Sequence, residues 1–289
     1  MTVHDTLLET LRTLARSRSS LLLCLYYPSA SQMKLPDIFR LHCSLETAKT
    51  PQLDVLLHSH GGDFRVGYKA VGILRDHLSD GGRLTAFVPF FCLSAATLLA
   101  LGADELVLSD TSWLGPIDPQ FIVTGRVSGS EGERYLSSRV VQNSLHVLRE
   151  YLPENAVSAD KERLFADAVI RPLTTSIDPY LIAGSRDYEQ TVFDYGVSIL
   201  SRRGIEKSMA SDAVRYLISR PTHDYVIDRF EIQNSPLRGV LGIRRSEDLP
   251  EEGRTSLDRA LRELMAWERR APSEHRTHPY IAVVDGRKP

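Results

Sequence analysis

Residues 53–109 read LDVLLHSHGGDFRVGYKAVGILRDHLSDGGRLTAFVPFFCLSAATLLALGADELVLS. Within them LDVLLHSH (53–60) is an apolar run that stops at Gly61-Gly62. FRVGYKAVGILRDHL (64–78) then sets Val66, Ala70, Ile73 and Leu74 on one side of a helix. LTAFVP (84–89) is a second apolar run, SAATLLALGA (94–103) a short helix opened by a serine, and ELVLS (105–109) a further strand. Strands that alternate with helices of this length predict parallel pairing through right-handed crossovers, an α/β fold.

Working outward, LLLCLYYP (21–28) and PDIFRLHCSLETA (36–48) continue the strand–helix alternation toward the N-terminus. Leu7, Leu8, Leu11, Leu14 and Ala15 share one face of a helix that Asp5 is placed to cap. Downstream of LGPIDPQ (114–120) the texture changes. Residues 122–133 are rich in glycine and serine and read as a loop. Helical patterns follow at 134–152, 159–170, 188–204 and 206–218, with a last helix at 255–269 and a short strand, YIAVV, at 280–284. The organisation expected is an N-terminal helix (1–20), one main domain (21–245) and a C-terminal helix-and-strand extension (246–289).

The chain has 289 residues, 42% hydrophobic and 25% charged, which excludes a disordered tail, a collagen-like repeat and a coiled-coil rod. A net charge of −2 provides no global field for nucleic acid or an anionic membrane, so neither partner is expected on that ground. Cys24, Cys43 and Cys92 are odd in number and lack CxxC spacing, which argues against a disulfide framework or a cysteine zinc site and fits the reducing cytoplasm. The uncharged stretch 84–103 is about as long as a membrane span. Pro89 divides it, however, and strand, turn and buried helix is the preferred reading. No GxGxxG follows a strand with an acidic residue about 20 positions on, and no Walker-type loop is present, so no nucleotide cofactor is expected.

Three features carry chemistry. Gly61-Gly62 at a strand-to-helix turn lets the backbone present N–H groups to an oxyanion, though taken alone a plain turn is the better reading. Ser94, between strand and helix, places a hydroxyl and the following Ala95 N–H at a helix N-terminus; position alone also fits an ordinary N-cap. Asp118 lies between Pro116-Ile117 and Pro119, a rigid turn that holds a carboxylate or serves only as a turn.

Taken together, HSHGGDFRVGYKAV (58–71), SAATLLALGADE (94–105) and LGPIDPQ (114–120) resemble the serine dehydrogenase proteinase family, related to signal peptide peptidase A and the Clp-type proteolytic subunits of the Clp/crotonase superfamily. The resemblance is strongest over roughly residues 53 to 121. A weaker echo, PTHDYVIDRFEIQNSPLRGV, lies at 221–240. The resemblance implies a Clp/crotonase-like spiral β-α core with a largely helical C-terminal half. It implies serine-dependent peptide-bond hydrolysis without metal or organic cofactor, with Ser94 as nucleophile and Gly61, Gly62 and Ala95 as the oxyanion hole. His223 is the first candidate for the base; His60 and then a lysine (Lys69, Lys161 or Lys207) follow. Asp118 or Asp224 would orient the histidine. The implied partners are a peptide or protein substrate, further copies of the chain in a homo-oligomer, and a separate ATPase or membrane partner.

Two positions depart from the family pattern: His60 stands where relatives usually have proline, and Ala96 where they commonly have glycine. Added bulk there keeps open an inactive, peptide-binding scaffold. A crotonase-like acyl-CoA enzyme shares the oxyanion geometry and is a further alternative.

Overall fold

The computed structural model describes residues 3–45, 49–127, 130–138, 163–164, 166–167, 179–270 and 277–287. Its main sheet is built from β1 (Leu21–Tyr26), β2 (Thr50–His58), β3 (Leu78–Val88), β5 (Glu105–Leu108), β9 (Gly242–Arg245) and β10 (Tyr280–Asp285), in the order β10-β1-β2-β3-β5-β9. From β1 to β9 every pairing is parallel, and only β10 runs antiparallel, against β1. The sheet is thus parallel-dominated, as the alternation in the sequence required.

Strands buried on both faces read as continuous apolar runs, and β1 is buried along its whole length. Alternate residues separate the two faces. Leu22, Cys24 and Tyr26 join Leu56, Phe87 and Val107 in one core cluster. That cluster is closed by Leu7, Leu11 and Leu14 of α1 (Val3–Arg18) and by Leu257, Ala260 and Leu264 of α8 (Glu251–Arg270). Helices α2 (Leu35–Ser44), α3 (Phe64–Asp76) and α4 (Ala95–Ala100) complete this N-terminal part; α3 packs on both α2 and α4. Gly67 makes the α3–α4 approach possible: a Cβ there would lie 2.3 Å from the Ala95 carbonyl oxygen.

A short parallel pair, β4 (Phe91–Cys92) and β6 (Trp113–Leu114), sits beyond the main sheet. The stretch 84–103 is therefore split among the end of β3, β4 and α4. Among the described residues no helix is long and apolar enough to cross a membrane.

The chain divides into two units, Met1–Ile117 with Tyr195–Pro289, and Asp118–Asp194. In the second, the glycine- and serine-rich stretch expected as a loop is instead a hairpin. Strands β7 (Gln120–Val127) and β8 (Ser130–Ser137) pair antiparallel from Gln120↔Ser137 to Val127↔Ser130. The β-branched and aromatic run FIVT at 121–124 carries strand propensity. The helix expected from 134 is corrected at 134–137, which belong to β8; most of its remainder, and most of 159–170, lies outside the described residues. Helix α5 (Pro179–Arg202) starts earlier than its apolar pattern, and α6 (Lys207–Ile218) and α7 (Arg229–Gln233) follow.

Candidate active site

The chain leaves β3 at Val88, forms β4, and enters α4 through Ser94. This serine has φ 53° and ψ −117°, outside the regions comfortable for a side-chain-bearing residue. Among the described residues Ser19, where α1 ends, is the only other non-glycine at positive φ. The Ser94 hydroxyl makes no capping hydrogen bond, so the plain N-cap reading is set aside. A half-buried serine on a strained strand-to-helix turn, its hydroxyl not engaged by the helix, has the geometry of a nucleophile elbow.

Several bonds hold the strained turn. Ser94 N–H donates to the Pro116 carbonyl at 3.1 Å, and Leu98 N–H donates to the Ser94 carbonyl at 3.1 Å. The Thr97 hydroxyl lies 2.8 Å from both the Cys92 and Gly115 carbonyl oxygens, tying β4 to the segment after β6. Thr97 was legible only as part of the quoted motif; its bracing role depends on the fold.

The glycine turn packs directly against this serine. Gly61 (φ +99°) and Gly62 (φ +138°) both occupy backbone space that side chains disfavour. A Cβ on Gly61 would lie 2.6 Å from the Leu93 carbonyl oxygen and 2.8 Å from Ser94 Cβ. One on Gly62 would lie 2.4 Å from the Met33 carbonyl oxygen. Gly61 N–H is already bonded to Ser59 Oγ at 2.9 Å, so it is not available to an oxyanion. Among the described residues the N–H groups of Gly62 and Ala95 donate to no acceptor. Ala95 N–H adjoins Ser94 in the chain, and Gly62 N–H belongs to the glycine turn that packs against it through Gly61.

The histidines are placed unequally. His58 ends β2 buried among aromatic rings, stacked on Tyr26 at 4.8 Å and tilted against Phe91 at 4.2 Å. Burial, and then the neighbouring His60, push its pKa down to about 4, so its ring is neutral near pH 7. His60 is exposed, edge-on to Phe91 at 4.5 Å, with its pKa lowered by partial burial. His223 lies in a turn bracketed by two anchors. Ile117 N–H donates to the Leu217 carbonyl on one side, and Ile227 exchanges backbone bonds with Leu114 on the other. Residues 217–227 are thereby pinned to the same 114–117 segment that holds Ser94 N–H. Among the described residues no hydrogen bond joins His223, His60 or Lys69 to the Ser94 hydroxyl. Lys69 is exposed on α3 and Lys207 exposed at the start of α6, while Lys161 lies outside the described residues. Asp224 is exposed; Asp118 is buried and accepts from Ser138 Oγ at 3.3 Å.

A strand, a strained serine and a short helix facing a glycine turn define the class of α/β proteins with a serine elbow. The family resemblance read from the motifs is borne out over its central segment, for residues 37–129 match the ClpP-like SDH-type serine proteinases. Two uncharacterized proteins of Methanocaldococcus jannaschii are similar over short stretches. One is 28% identical over 74 residues, 26% of this chain and 24% of the relative. The other is 31% identical over 72 residues, 25% of this chain and 24% of the relative. The match therefore spans about a quarter of the length of these relatives. Among solved structures, a serine-to-alanine variant of the 1510-N membrane-bound stomatin-specific protease is similar with a TM-score of 0.42 and 13% identity, covering 76% of this chain and 77% of that one. A lysine-to-alanine variant of that protease in complex with a substrate peptide gives 0.39 and 14%, covering 76% and 74%.

Proposed function

We propose that this chain is a serine peptidase that cleaves peptide bonds through Ser94. The observation that carries the reading is the strained, uncapped Ser94 set against two uncommitted backbone donors, Gly62 N–H and Ala95 N–H. In the proposed reaction Ser94 Oγ attacks the carbonyl carbon of the scissile amide. Its proton passes to the base, and the carbonyl oxygen takes up negative charge between the two N–H groups. Collapse breaks the C–N bond, the base returns the proton to the leaving amine, and water then releases the acyl group by the same steps in reverse order. Removing one oxyanion donor from such a site typically costs about 100- to 1000-fold in rate.

His223 is the proposed base, supported by the bracketing of its turn onto residues 114–117. Asp224 is the carboxylate proposed to orient it. His60 is the second candidate, because it precedes the glycine pair and stays neutral near pH 7.

A fluorophosphonate probe tests the reading without knowledge of the substrate, since Ser94 Oγ displaces fluoride from phosphorus. The expected result is stoichiometric labelling of wild type and none of Ser94→Ala. His223→Ala should then slow labelling more than His60→Ala or Lys69→Ala does. A folded wild type that takes no label would replace this reading with that of a non-cleaving, peptide-binding relative. The added bulk of His60 and Ala96, where the family pattern has proline and glycine, favours this second reading.

A further inference from the structure

We propose that Ser59 is a positioning residue that sets the oxyanion donors, a role that rests on the serine-peptidase reading above. Ser59 is fully buried and touches both halves of the site. Its N–H donates to the Phe91 carbonyl at 3.2 Å, and its carbonyl accepts from Leu93 N–H at 3.0 Å, one residue before the nucleophile. Its hydroxyl accepts from Gly61 N–H at 2.9 Å.

The consequence follows from peptide planarity. The hydroxyl holds the 60–61 peptide plane by its N–H. The next plane is held by its carbonyl, because Met33 N–H donates to the Gly61 oxygen at 2.8 Å. In a trans peptide the N–H points opposite to the carbonyl, so Gly62 N–H is directed away from Met33 and cannot be satisfied there. Glycine has the widest conformational freedom of any residue, and two in succession leave these planes loose unless both are tied. Ser59 is the side chain that ties the first, and its backbone fixes the same loop to the turn that carries Ser94. An oxyanion hole acts by having its donors aligned before charge develops; loosening Gly62 slows the reaction without weakening ground-state contacts.

The test compares wild type, Ser59→Ala, Ser59→Cys and, as a buried-serine control, Ser20→Ala, whose hydroxyl has no partner among the described residues. The fluorophosphonate labelling rate should fall about 10- to 100-fold in Ser59→Ala. It should take an intermediate value in Ser59→Cys, which keeps the shape but offers a weaker acceptor. Ser20→Ala should label at the wild-type rate. The midpoint of the labelling pH profile should stay in place, because the base is untouched, and amide exchange at Gly61 should accelerate in Ser59→Ala. If Ser59→Ala does not fold, the Ser59→Cys rate and Gly61 exchange carry the comparison. Wild type labelled at Ser94 with Ser59→Ala labelled equally fast overturns this assignment alone. Wild type that takes no label overturns the peptidase reading and this assignment with it.

Discussion

Holding a side-chain-bearing residue at φ 53° and ψ −117° costs roughly 1–3 kcal/mol, and Ser94 bears that strain with no capping bond in return. Ser94→Gly should therefore raise the unfolding free energy by about 1 kcal/mol, strain relief outweighing the extra entropy of a glycine in the unfolded chain. Urea denaturation reads this, and the same variant should lose fluorophosphonate labelling altogether. His58 sets a second expectation. Its pKa of about 4 in the fold lies below the unfolded value near 6.5. The unfolded chain then binds a proton that the native ring refuses, so stability is full above pH 6.5, falls as pH drops toward 4, and levels off below. His58→Phe, placed between Tyr26 and Phe91, should remove a loss of about 3 kcal/mol from that window, read as the difference between the two denaturation curves at pH 7 and pH 4.

Helix α1 is anchored to the sheet by one buried charge. The Asp54 carboxylate on β2 is fully buried and receives Arg18 Nε at 2.6 Å and Arg18 Nη2 at 3.2 Å. Gln52 Nε2 donates to it as well, at 2.7 Å. Removing the arginine alone leaves a buried carboxylate without its cation, so Arg18→Met should cost about 3–5 kcal/mol, and adding Asp54→Asn should recover much of the loss. A double-mutant cycle by chemical denaturation checks both. The helices and strands with strong periodicity were legible in the sequence from α1 through β5, and again at α6, α8 and β10. β4 and β6 were not, because two-residue strands have no period to detect; they are held by pairing with each other and by backbone bridges to Ser59 and Ile227. The β7–β8 hairpin is not legible in the sequence, because its glycines and serines mask the strand propensity of the β-branched residues beside them.

Across the whole molecule, the C-terminal segment completes the core. Strand β10 covers the β1 edge of the sheet, and α8 lies on α1 over the shared leucine cluster. Glu268 adds a polar clamp, accepting from Ser29 N–H at 2.9 Å, from its hydroxyl at 2.6 Å and from the Tyr26 hydroxyl at 2.5 Å. Burial pushes the Glu268 pKa up, but these bonds outweigh it and hold the carboxyl below its usual range. A chain ending at residue 250 would expose the leucines of α1 and leave β1 as an open edge, which invites aggregation. It should be recovered largely insoluble, whereas the full chain stays in the supernatant; equal soluble yields would show that the last helix and strand are dispensable.

Local pattern by itself determined the parallel α/β core, the turn at Gly61-Gly62 and the place of Ser94 between strand and helix, because periodicity and glycine–proline punctuation are short-range properties written into contiguous residues. Tertiary structure alone decided that Ser94 is strained rather than a cap, that among the described residues Gly61 N–H is taken and Gly62 N–H is not, and that the turn carrying His223 is pinned beside residues 114–117. The Ser59 bond to Gly61 N–H is local, but the rest depends on which backbone donor finds which acceptor across elements distant in sequence, through Met33, Pro116 and Leu217. A hydrogen bond between segments so far apart leaves no local signature in the chain.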